Sequence, residues 1–207
     1  MASKVEQSQE RWLMMSAYEQ DLWRQGFIYI AGLDEAGRGP LAGPVVAAAV
    51  VLPAECYIRG LNDSKKLTEA ARLRLEPLIK EQALSWSVAG VNNRVIDEIN
   101  ILEASRLAMV RALAYLDIVP QYLLTDALHL PTEIPQSNIV HGDSLSISIA
   151  AASVLAKNHR DRIMINFARL YPGYGLEKHK GYPTKAHRQA IAEVGLSPIH
   201  RRSFRSC

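Results

Sequence analysis

The sequence predicts an α/β protein in which a central mixed β-sheet is flanked by helices. Two apolar runs, residues 27–31 and 45–52, are rich in β-branched residues and predict neighbouring strands. A stretch containing glycine and proline separates them. After this hairpin-like pair, strand-like segments alternate with segments of helical periodicity, and carboxylates lie at three predicted strand ends. A strand pair followed by such alternation favours a mixed sheet with helices on its faces.

Residues 1–25 predict an N-terminal helical extension that precedes a domain spanning residues 26–207. The extension is polar, and its large apolar side chains recur at helical spacing: Trp12, Leu13, Tyr18, Leu22 and Trp23. We expect this amphipathic helix to pack on the domain. The alternative is that its tryptophans grip a nucleic acid.

The remaining elements follow from caps, breakers and periodicity. Thr68 is a predicted N-cap for a helix reaching Ala83, which Pro77 would end or kink. A helix over residues 92–116 is expected to break near Asn100. We predict strands over 85–91, 122–127 and 138–143, a long helix from Ser144, a loop over 171–185 and a helix over 184–194.

Four acids stand out because they lie at predicted strand ends, where ligands of α/β sheets gather. Asp34 and Glu35 follow the first strand, and Asp126 and Asp143 finish the fourth and fifth. Successive strand side chains point to opposite faces, so only one of the first two is expected to face a core. The alternative interpretation is a solvated turn for Asp34 and Glu35 and a helix N-cap for Asp143.

Convergence of these acids would create strong repulsion away from water, which divalent cations relieve. Ligands that are all oxygen select Mg²⁺ or Mn²⁺ over zinc, and two such ions can hold a phosphate between them. The sequence contains neither a Cys pair nor an HExxH pattern that would bind zinc. The acids therefore predict a site for hard cations.

Anion-binding features lie close to these acids in the sequence. Gly37, Arg38 and Gly39 combine flexible backbone with a cation, and successive amides in such turns can form an anion-binding nest. Ser64 and Lys65 stand at a predicted helix entry, where a phosphate can bind. The alternative for that segment is a capped surface turn. Together the features suit a phosphodiester bound through metal ions.

Composition limits the class of protein. Charged residues make up 22% and hydrophobic ones 48%, and no apolar stretch reaches the ~18–20 residues that span a bilayer. The two cysteines, Cys56 and Cys207, and the lack of an apolar signal at the N-terminus favour the reducing cytoplasm and no membrane. Residues 157–207 carry 11 Lys and Arg against 3 Asp and Glu. This basic quarter suggests a polyanionic partner, or else an ordinary solvated tail.

Six motifs in order resemble the bacterial ribonuclease HII family across residues 27–204. The first runs from Asp34 to Val45 and has the appearance of that family's signature. The others are Asn62–Leu67, Thr125–Ala127, His141–Asp143 with Ser148–Ser153, His179–Thr184 and Ile199–Phe204. So many motifs in order make chance agreement remote.

The resemblance implies a ribonuclease H-like fold with a helical C-terminal portion, residues 26–207 being the catalytic domain. It implies hydrolysis of the RNA strand of RNA–DNA hybrids, and incision on the 5′ side of ribonucleotides embedded in duplex DNA. The products would carry 3′-hydroxyl and 5′-phosphate ends. The catalytic residues and ligands of two Mg²⁺ or Mn²⁺ ions would be Asp34, Glu35, Asp126 and Asp143.

The resemblance also assigns substrate contacts. Residues 37–39 would contact the 2′-hydroxyl that distinguishes RNA from DNA. Tyr182 would pack on the neighbouring sugar at an RNA–DNA junction, and Ser64, Lys65 and the C-terminal basic residues would grip phosphates.

Residues 1–25 lie outside the resemblance, and the end of the chain, residues 205–207, shows no clamp-binding peptide. We expect a monomer. The rivals are a DNA-directed nuclease of the same fold and a non-catalytic hybrid-binding module, although the latter would lose acids and all four are present.

Overall fold

The structure is a computed structural model and describes residues 4–204. The C-terminal residues 205–207, on which the clamp-peptide expectation rests, lie outside the described residues. The helices are α1 (Lys4–Met15), α2 (Ala17–Arg24), α3 (Glu69–Gln82), α4 (Asn93–Ala114), α5 (Ile147–Leu170), α6 (Leu176–His179) and α7 (Lys185–Val194). The strands are β1 (Ile30–Ala36), β2 (Val45–Val51), β3 (Ser85–Val91), β4 (Tyr122–Asp126) and β5 (Gln136–Ile139).

The five strands form one mixed sheet in the order β3-β2-β1-β4-β5, which confirms the predicted fold class. The pairs β3–β2 and β2–β1 are antiparallel, whereas β1–β4 and β4–β5 are parallel. Every residue of β2 is buried. Its unbroken apolar sequence fits this position, because a strand covered on both faces has no polar side to show.

Helices cover both faces of the sheet. Helix α4 packs on one face, in a core with Val45, Ala47 and Ala49, while α3 and α5 pack on the other with Ala48 and Val50. Among the residues described, no helix is long and apolar enough to span a membrane.

Helix α5 approaches β1 unusually closely. A Cβ on Gly32 would lie 2.1 Å from the carbonyl carbon of Ser148, so only glycine fits there. The small residues 150–152 of α5 are fully buried on the same side of the sheet. This close contact places the first turns of α5 beside the strand that carries Asp34 and Glu35.

Two predicted strand ends are wrong. Asp34 and Glu35 lie inside β1, because β2 continues to pair with it through Asp34–Ala48 and Glu35–Ala47. On the other side of β1, pairing with β4 stops at Leu33 and Thr125, so the strand is open towards β4 at the acids. Strand β5 ends at Ile139, and Asp143 instead lies in a 3₁₀ turn over Gly142–Ser144.

Helix boundaries differ in smaller ways. The N-cap of α5 is Ser146, whose side chain accepts from the Ile149 amide, so Asp143 is not the cap. Helix α3 does not end at Pro77, and its predicted N-cap Thr68 is confirmed. The predicted break in α4 is confirmed at Asn100, which has φ 67° and accepts from the amides of the following turn. The predicted loop over 171–185 contains the short helix α6.

The N-terminal segment forms two helices rather than one, and they pack on the sheet domain as expected. Trp12 donates to the Cys56 carbonyl at 2.6 Å, and both Trp12 and Trp23 contact the core cluster on the α5 side of the sheet. Buried Glu19 accepts hydrogen bonds from Ser146 and Ser148 at the start of α5. The division at residue 25 stays a prediction.

Candidate active site

Three of the four predicted acids converge at the end of the sheet. Oxygen atoms of Asp34, Asp126 and Asp143 all lie within 4.8 Å of one another. They come from β1, the last residue of β4 and the 3₁₀ turn before α5. Asp34 and Asp126, which are 92 positions apart in sequence, meet because β1 and β4 are parallel neighbours.

Backbone geometry at the ends of β4 and β5 brings the acids to this point. Ala127 (φ 59°) and His141 (φ 60°) both adopt the left-handed conformation, which is uncommon without glycine. The Gly142 amide donates to Asp126 Oδ1 at 2.9 Å and ties the two segments together. Left-handed non-glycine residues cluster at functional sites, where surrounding structure holds them in place.

The carboxylates are electrostatically strained. Burial raises the pKa of Asp34 well above its ordinary value, and repulsion from Glu35 and Asp126 adds to this effect. Burial also raises the pKa of Asp143, although the Lys65 ammonium opposes the shift. Such groups gain most from a positive charge placed among them.

Glu35 lies beside the three-carboxylate cluster rather than within it. Burial raises its pKa to about 7, against the opposing effect of Arg38, whose guanidinium is 3.4 Å from Glu35 Oε1. Its other oxygen, Oε2, is buried and has no hydrogen-bond partner among the described residues. The expectation that only one of the adjacent acids would face inward is wrong, since Asp34 is 4% exposed and the Glu35 side chain 8%.

A cleft of about 470 Å³ opens over the acids. All the predicted site residues except Asp143 line it. Four further residues line the cleft, and no sequence pattern predicts an individual role for any of them: Ala36, Arg72, Ser153 and Lys157. Ser153 was part of a family-like motif, but only the fold shows that its hydroxyl bonds to Asp34.

Ser64 and Lys65 line the cleft but are already engaged. The Ser64 hydroxyl is 2.7 Å from that of Ser153, and Ser64 itself is buried. Lys65 Nζ is 2.8 Å from Asp143 Oδ2, although 71% of the lysine side chain is exposed. The ammonium thus holds a positive charge against the carboxylate cluster.

Tyr182 forms one wall of the cleft. Its ring lies near Lys157 Nζ (5.8 Å) and the Arg160 guanidinium (5.9 Å), and the side chain is 40% exposed. A Cβ on Gly39 would lie 3.7 Å from the ring, so the tyrosine lies over the segment that joins β1 to β2, residues 37–44, called the glycine loop below. The structure therefore places Tyr182 beside residues 37–39, which are distant in sequence.

Two of the C-terminal basic residues cannot grip phosphates as the charge count suggested. Arg160 and Arg201 are both 0% exposed. Arg160 donates to the carbonyls of Pro44, Ala42 and Lys180 at 3.0–3.1 Å. Counting charges along a sequence cannot distinguish an arginine that binds backbone from one that faces solvent.

The donor set fits a divalent cation. It consists of carboxylate oxygens, three of which lie within 4.8 Å, beside a buried carboxylate oxygen that lacks a partner in the described chain. Hard oxygen ligands of this kind bind Mg²⁺ or Mn²⁺.

A mixed five-stranded sheet with this acidic centre defines a metal-dependent nuclease of the ribonuclease H-like fold. The sequence profile of the family described as Ribonuclease HII matches residues 31–207. The chain therefore belongs to the ribonuclease HII family, whose members are metal-dependent endonucleases that degrade RNA in RNA–DNA hybrids.

Individual relatives agree with this assignment. The Ribonuclease HII of Bacillus cereus strain Q1 is 55% identical over 200 residues, which is 97% of this chain and 78% of the relative. The crystal structure of ribonuclease H2 from Pyrococcus horikoshii OT3 superposes with a TM-score of 0.74 at 28% identity, covering 86% of this chain and 95% of that one. Bst-RNase HIII in complex with Mn²⁺, at 20% identity, shares the fold with a TM-score of 0.64 over 86% of this chain and 68% of that one.

The Bacillus cereus comparison corrects one expectation. An alignment over 200 of the 207 residues includes most of residues 1–25, so the N-terminal helices are not outside the resemblance. The motifs that carry chemistry begin only at Asp34, which is why the sequence alone suggested otherwise.

Proposed function

We propose that this chain incises duplex DNA on the 5′ side of embedded ribonucleotides, besides hydrolysing the RNA strand of hybrids. The products would carry 3′-hydroxyl and 5′-phosphate ends. One observation carries the proposal: Asp34 and Asp126 of the carboxylate cluster line the same cleft as residues 37–39, so a phosphodiester beside a 2′-hydroxyl can meet both.

In this proposal Asp34, Asp126 and Asp143 ligate divalent ions, and Glu35 joins them through its unpaired oxygen. Two such ions, when bound, stabilise the attacking and leaving oxygens of an in-line displacement. The protein contributes an acid cluster held rigid by the Gly142 amide and by Ser153. Ligands that are all oxygen bind either Mg²⁺ or Mn²⁺. Bst-RNase HIII has a structure in complex with Mn²⁺, which supports Mn²⁺ as one of the two candidate ions.

Substrate recognition is divided between the loop and the surrounding cations. The amides of residues 37–39 would contact the 2′-hydroxyl, and Tyr182 would pack on the adjoining sugar. Lys65 would leave Asp143 when cations bind there and would then be available for a phosphate, because its side chain is largely exposed. Ser64 would support this contact from its hydrogen bond with Ser153.

The chain would act as a monomer in the cytoplasm, with residues 1–25 as a helical extension bracing a catalytic domain of residues 26–207. The contacts of Glu19 with the start of α5 support the bracing role.

The test is a labelled DNA duplex containing one ribonucleotide, with an all-DNA duplex as control, incubated with Mg²⁺, Mn²⁺ or EDTA. We expect a metal-dependent nick on the 5′ side of the ribonucleotide and an intact control. Nicking of both duplexes would indicate a DNA-directed nuclease. Binding without a nick in either metal would indicate a hybrid-binding module.

A further inference from the structure

Arg201 is buried behind the glycine loop and bonded to it by all three nitrogen atoms of its guanidinium. Nε donates to the Gly43 carbonyl at 2.9 Å, one terminal nitrogen to the Arg38 carbonyl at 3.0 Å and the other to the Gly37 carbonyl at 2.6 Å. The arginine lies more than 150 positions from these carbonyls in sequence. A lysine could not reproduce this set, because its ammonium lacks the planar fork of donors.

The backbone around Arg201 is held by hydrogen bonds to two other parts of the chain. Asp97 of α4 accepts from the backbone amides of Arg202 and Ser203, which follow Arg201 directly. The Arg201 amide donates to the Leu41 carbonyl, and the Gly43 amide donates to the Ile199 carbonyl. The C-terminal segment is thus fixed both to α4 and to the loop whose carbonyls it holds.

The hydrogen bonds from Arg201 to the Gly37 and Arg38 carbonyls also determine where the next amides in the chain point. The described peptide bonds are all trans, so the carbonyl of one residue and the amide of the next point in opposite directions. With the Gly37 and Arg38 carbonyls turned towards Arg201, the amides of Arg38 and Gly39 face the other way. Residues 37–39 line the cleft, and neither amide donates a hydrogen bond to any residue within the described range 4–204.

Gly37 completes the arrangement. It has φ +101°, and a Cβ there would lie 2.1 Å from Arg160 Nε. Arg160 donates to the neighbouring carbonyls of Ala42 and Pro44, so two buried arginines hold the backbone of this segment. The loop is therefore held in one shape before substrate arrives, which reduces the ordering cost of binding.

We propose that Arg201 is a positioning residue for ribose recognition, which presents the amides of Arg38 and Gly39 to the 2′-hydroxyl oxygen of the substrate. This inference rests on the proposed function. Arg201 touches neither substrate nor cations and acts through the peptides that it fixes. The guanidinium thereby couples the C-terminal segment to discrimination between RNA and DNA.

The test compares Arg201→Lys with the matched control Arg202→Gln, which alters an exposed arginine at the next position. Dissociation constants are measured by fluorescence anisotropy in EDTA for a one-ribonucleotide duplex and for the all-DNA duplex. Arg201→Lys should reduce the preference for the ribonucleotide duplex by about tenfold, the worth of two lost hydrogen bonds, and leave all-DNA affinity within about twofold. Arg202→Gln should keep the preference.

Equal weakening on both duplexes, or an unchanged preference in Arg201→Lys, would overturn the positioning role. A wild-type chain that neither incises at the ribonucleotide nor prefers that duplex would instead refute the proposed function. A thermal melt establishes whether the lysine variant is folded at the assay temperature.

A second measurement needs no variant. In the ¹H–¹⁵N spectrum of the wild-type chain, the Arg38 and Gly39 amides should shift on adding the one-ribonucleotide duplex and respond much less to the all-DNA duplex. The same response to both duplexes would contradict the inference even where Arg201→Lys does not fold.

Discussion

At the scale of one residue, the proposed function gives Tyr182 the role of sensing the RNA–DNA junction. Its ring stands over Gly39 and is 40% exposed, so a sugar can reach it. We expect Tyr182→Ala to slow incision at a single ribonucleotide by about tenfold or more, because one fully lost ring contact is worth ~1–3 kcal/mol. Cleavage of a long hybrid, which lacks a junction at the cut, should change less.

Tyr182→Phe is the matched control for that prediction. It keeps the ring and removes only the hydroxyl, so single-turnover incision should stay near the wild-type rate. Unchanged incision at single ribonucleotides in Tyr182→Ala would remove the junction role of this residue.

Residue types alone did not reveal which cations face the substrate. Arg160 and Arg201 belong to the basic C-terminal quarter, but both are fully buried and bind carbonyls. Lys65 was expected at a phosphate and instead pairs with Asp143 in the structure. The acids could be predicted as a site because a hard cation needs several oxygen ligands together. A single arginine in the sequence does not indicate whether it binds a phosphate, a carboxylate or backbone carbonyls.

At the scale of elements, the fit of α5 against β1 determines the position of the acid cluster. A Cβ on Gly32 would meet the backbone of Ser148 at 2.1 Å, and backbone cannot move aside as a side chain can. We expect Gly32→Ala to reduce the free energy of unfolding by about 3 kcal/mol, the upper part of the usual cost of overpacking. Urea denaturation followed by circular dichroism measures this change.

Gly90→Ala is the control, because a Cβ at Gly90 meets its neighbours no closer than 3.7 Å and Gly90 also lies in a strand of the sheet. It should change stability by less than about 1 kcal/mol. Equal destabilisation by the two substitutions would show that the close approach of α5 to β1 is not the constraint described above.

Elements were predictable where local chemistry decides them. The N-cap of α3 at Thr68 and the break in α4 at Asn100 both follow from side chains that accept hydrogen bonds from nearby backbone amides. The ends of β1 and β5 were misplaced because a strand ends where its partner stops pairing. Strand β2 holds β1 in the sheet through Glu35 and beyond, a long-range effect that no local pattern shows.

At the scale of the whole molecule, a buried histidine pair makes stability depend on pH. His200 Nδ1 accepts from the Ser197 amide at 2.9 Å, so its proton lies on Nε2, which is 3.1 Å from His187 Nε2. His187 can then donate through Nδ1 to the Tyr182 carbonyl. Protonating either ring would place two N–H groups face to face.

Burial, reinforced by His187, lowers the pKa of His200 to about 4 from an ordinary 6.5. Between these values the unfolded chain binds more protons than the folded one, so stability falls as pH decreases from about 6.5 towards 4. We expect this group to contribute at most about 3 kcal/mol, present in full above pH 6.5. Urea midpoints from pH 7.5 to 4.5 measure the loss.

His200→Gln should flatten this part of the pH profile, whereas His129→Gln, at an exposed histidine, should leave it unchanged. Because many carboxyls also titrate in this range, only the difference between the variants is informative. The same slope in wild type and His200→Gln would contradict the assignment.

The fold class and the acids were predictable from the sequence, whereas the architecture of the cleft was not. Ordered motifs identified the family, and the acids among them suggested a shared site. The sheet order decides which residues meet: β1 and β4 are parallel neighbours, so Asp34 and Asp126 are close despite their separation. Burial of Glu35 and the support of the loop by Arg201 depend on packing across the whole chain.

The converging acids are proposed to bind divalent cations, and Mn²⁺ binding followed by electron paramagnetic resonance tests this directly. Wild type should bind Mn²⁺ and lose free-ion signal, and Asp34→Asn should bind at least about tenfold more weakly, since a first ligand and its charge are lost. Asp21→Asn, which removes an exposed charge from α2, should bind like wild type. Equal Mn²⁺ affinity in wild type and a folded Asp34→Asn variant would contradict the claim.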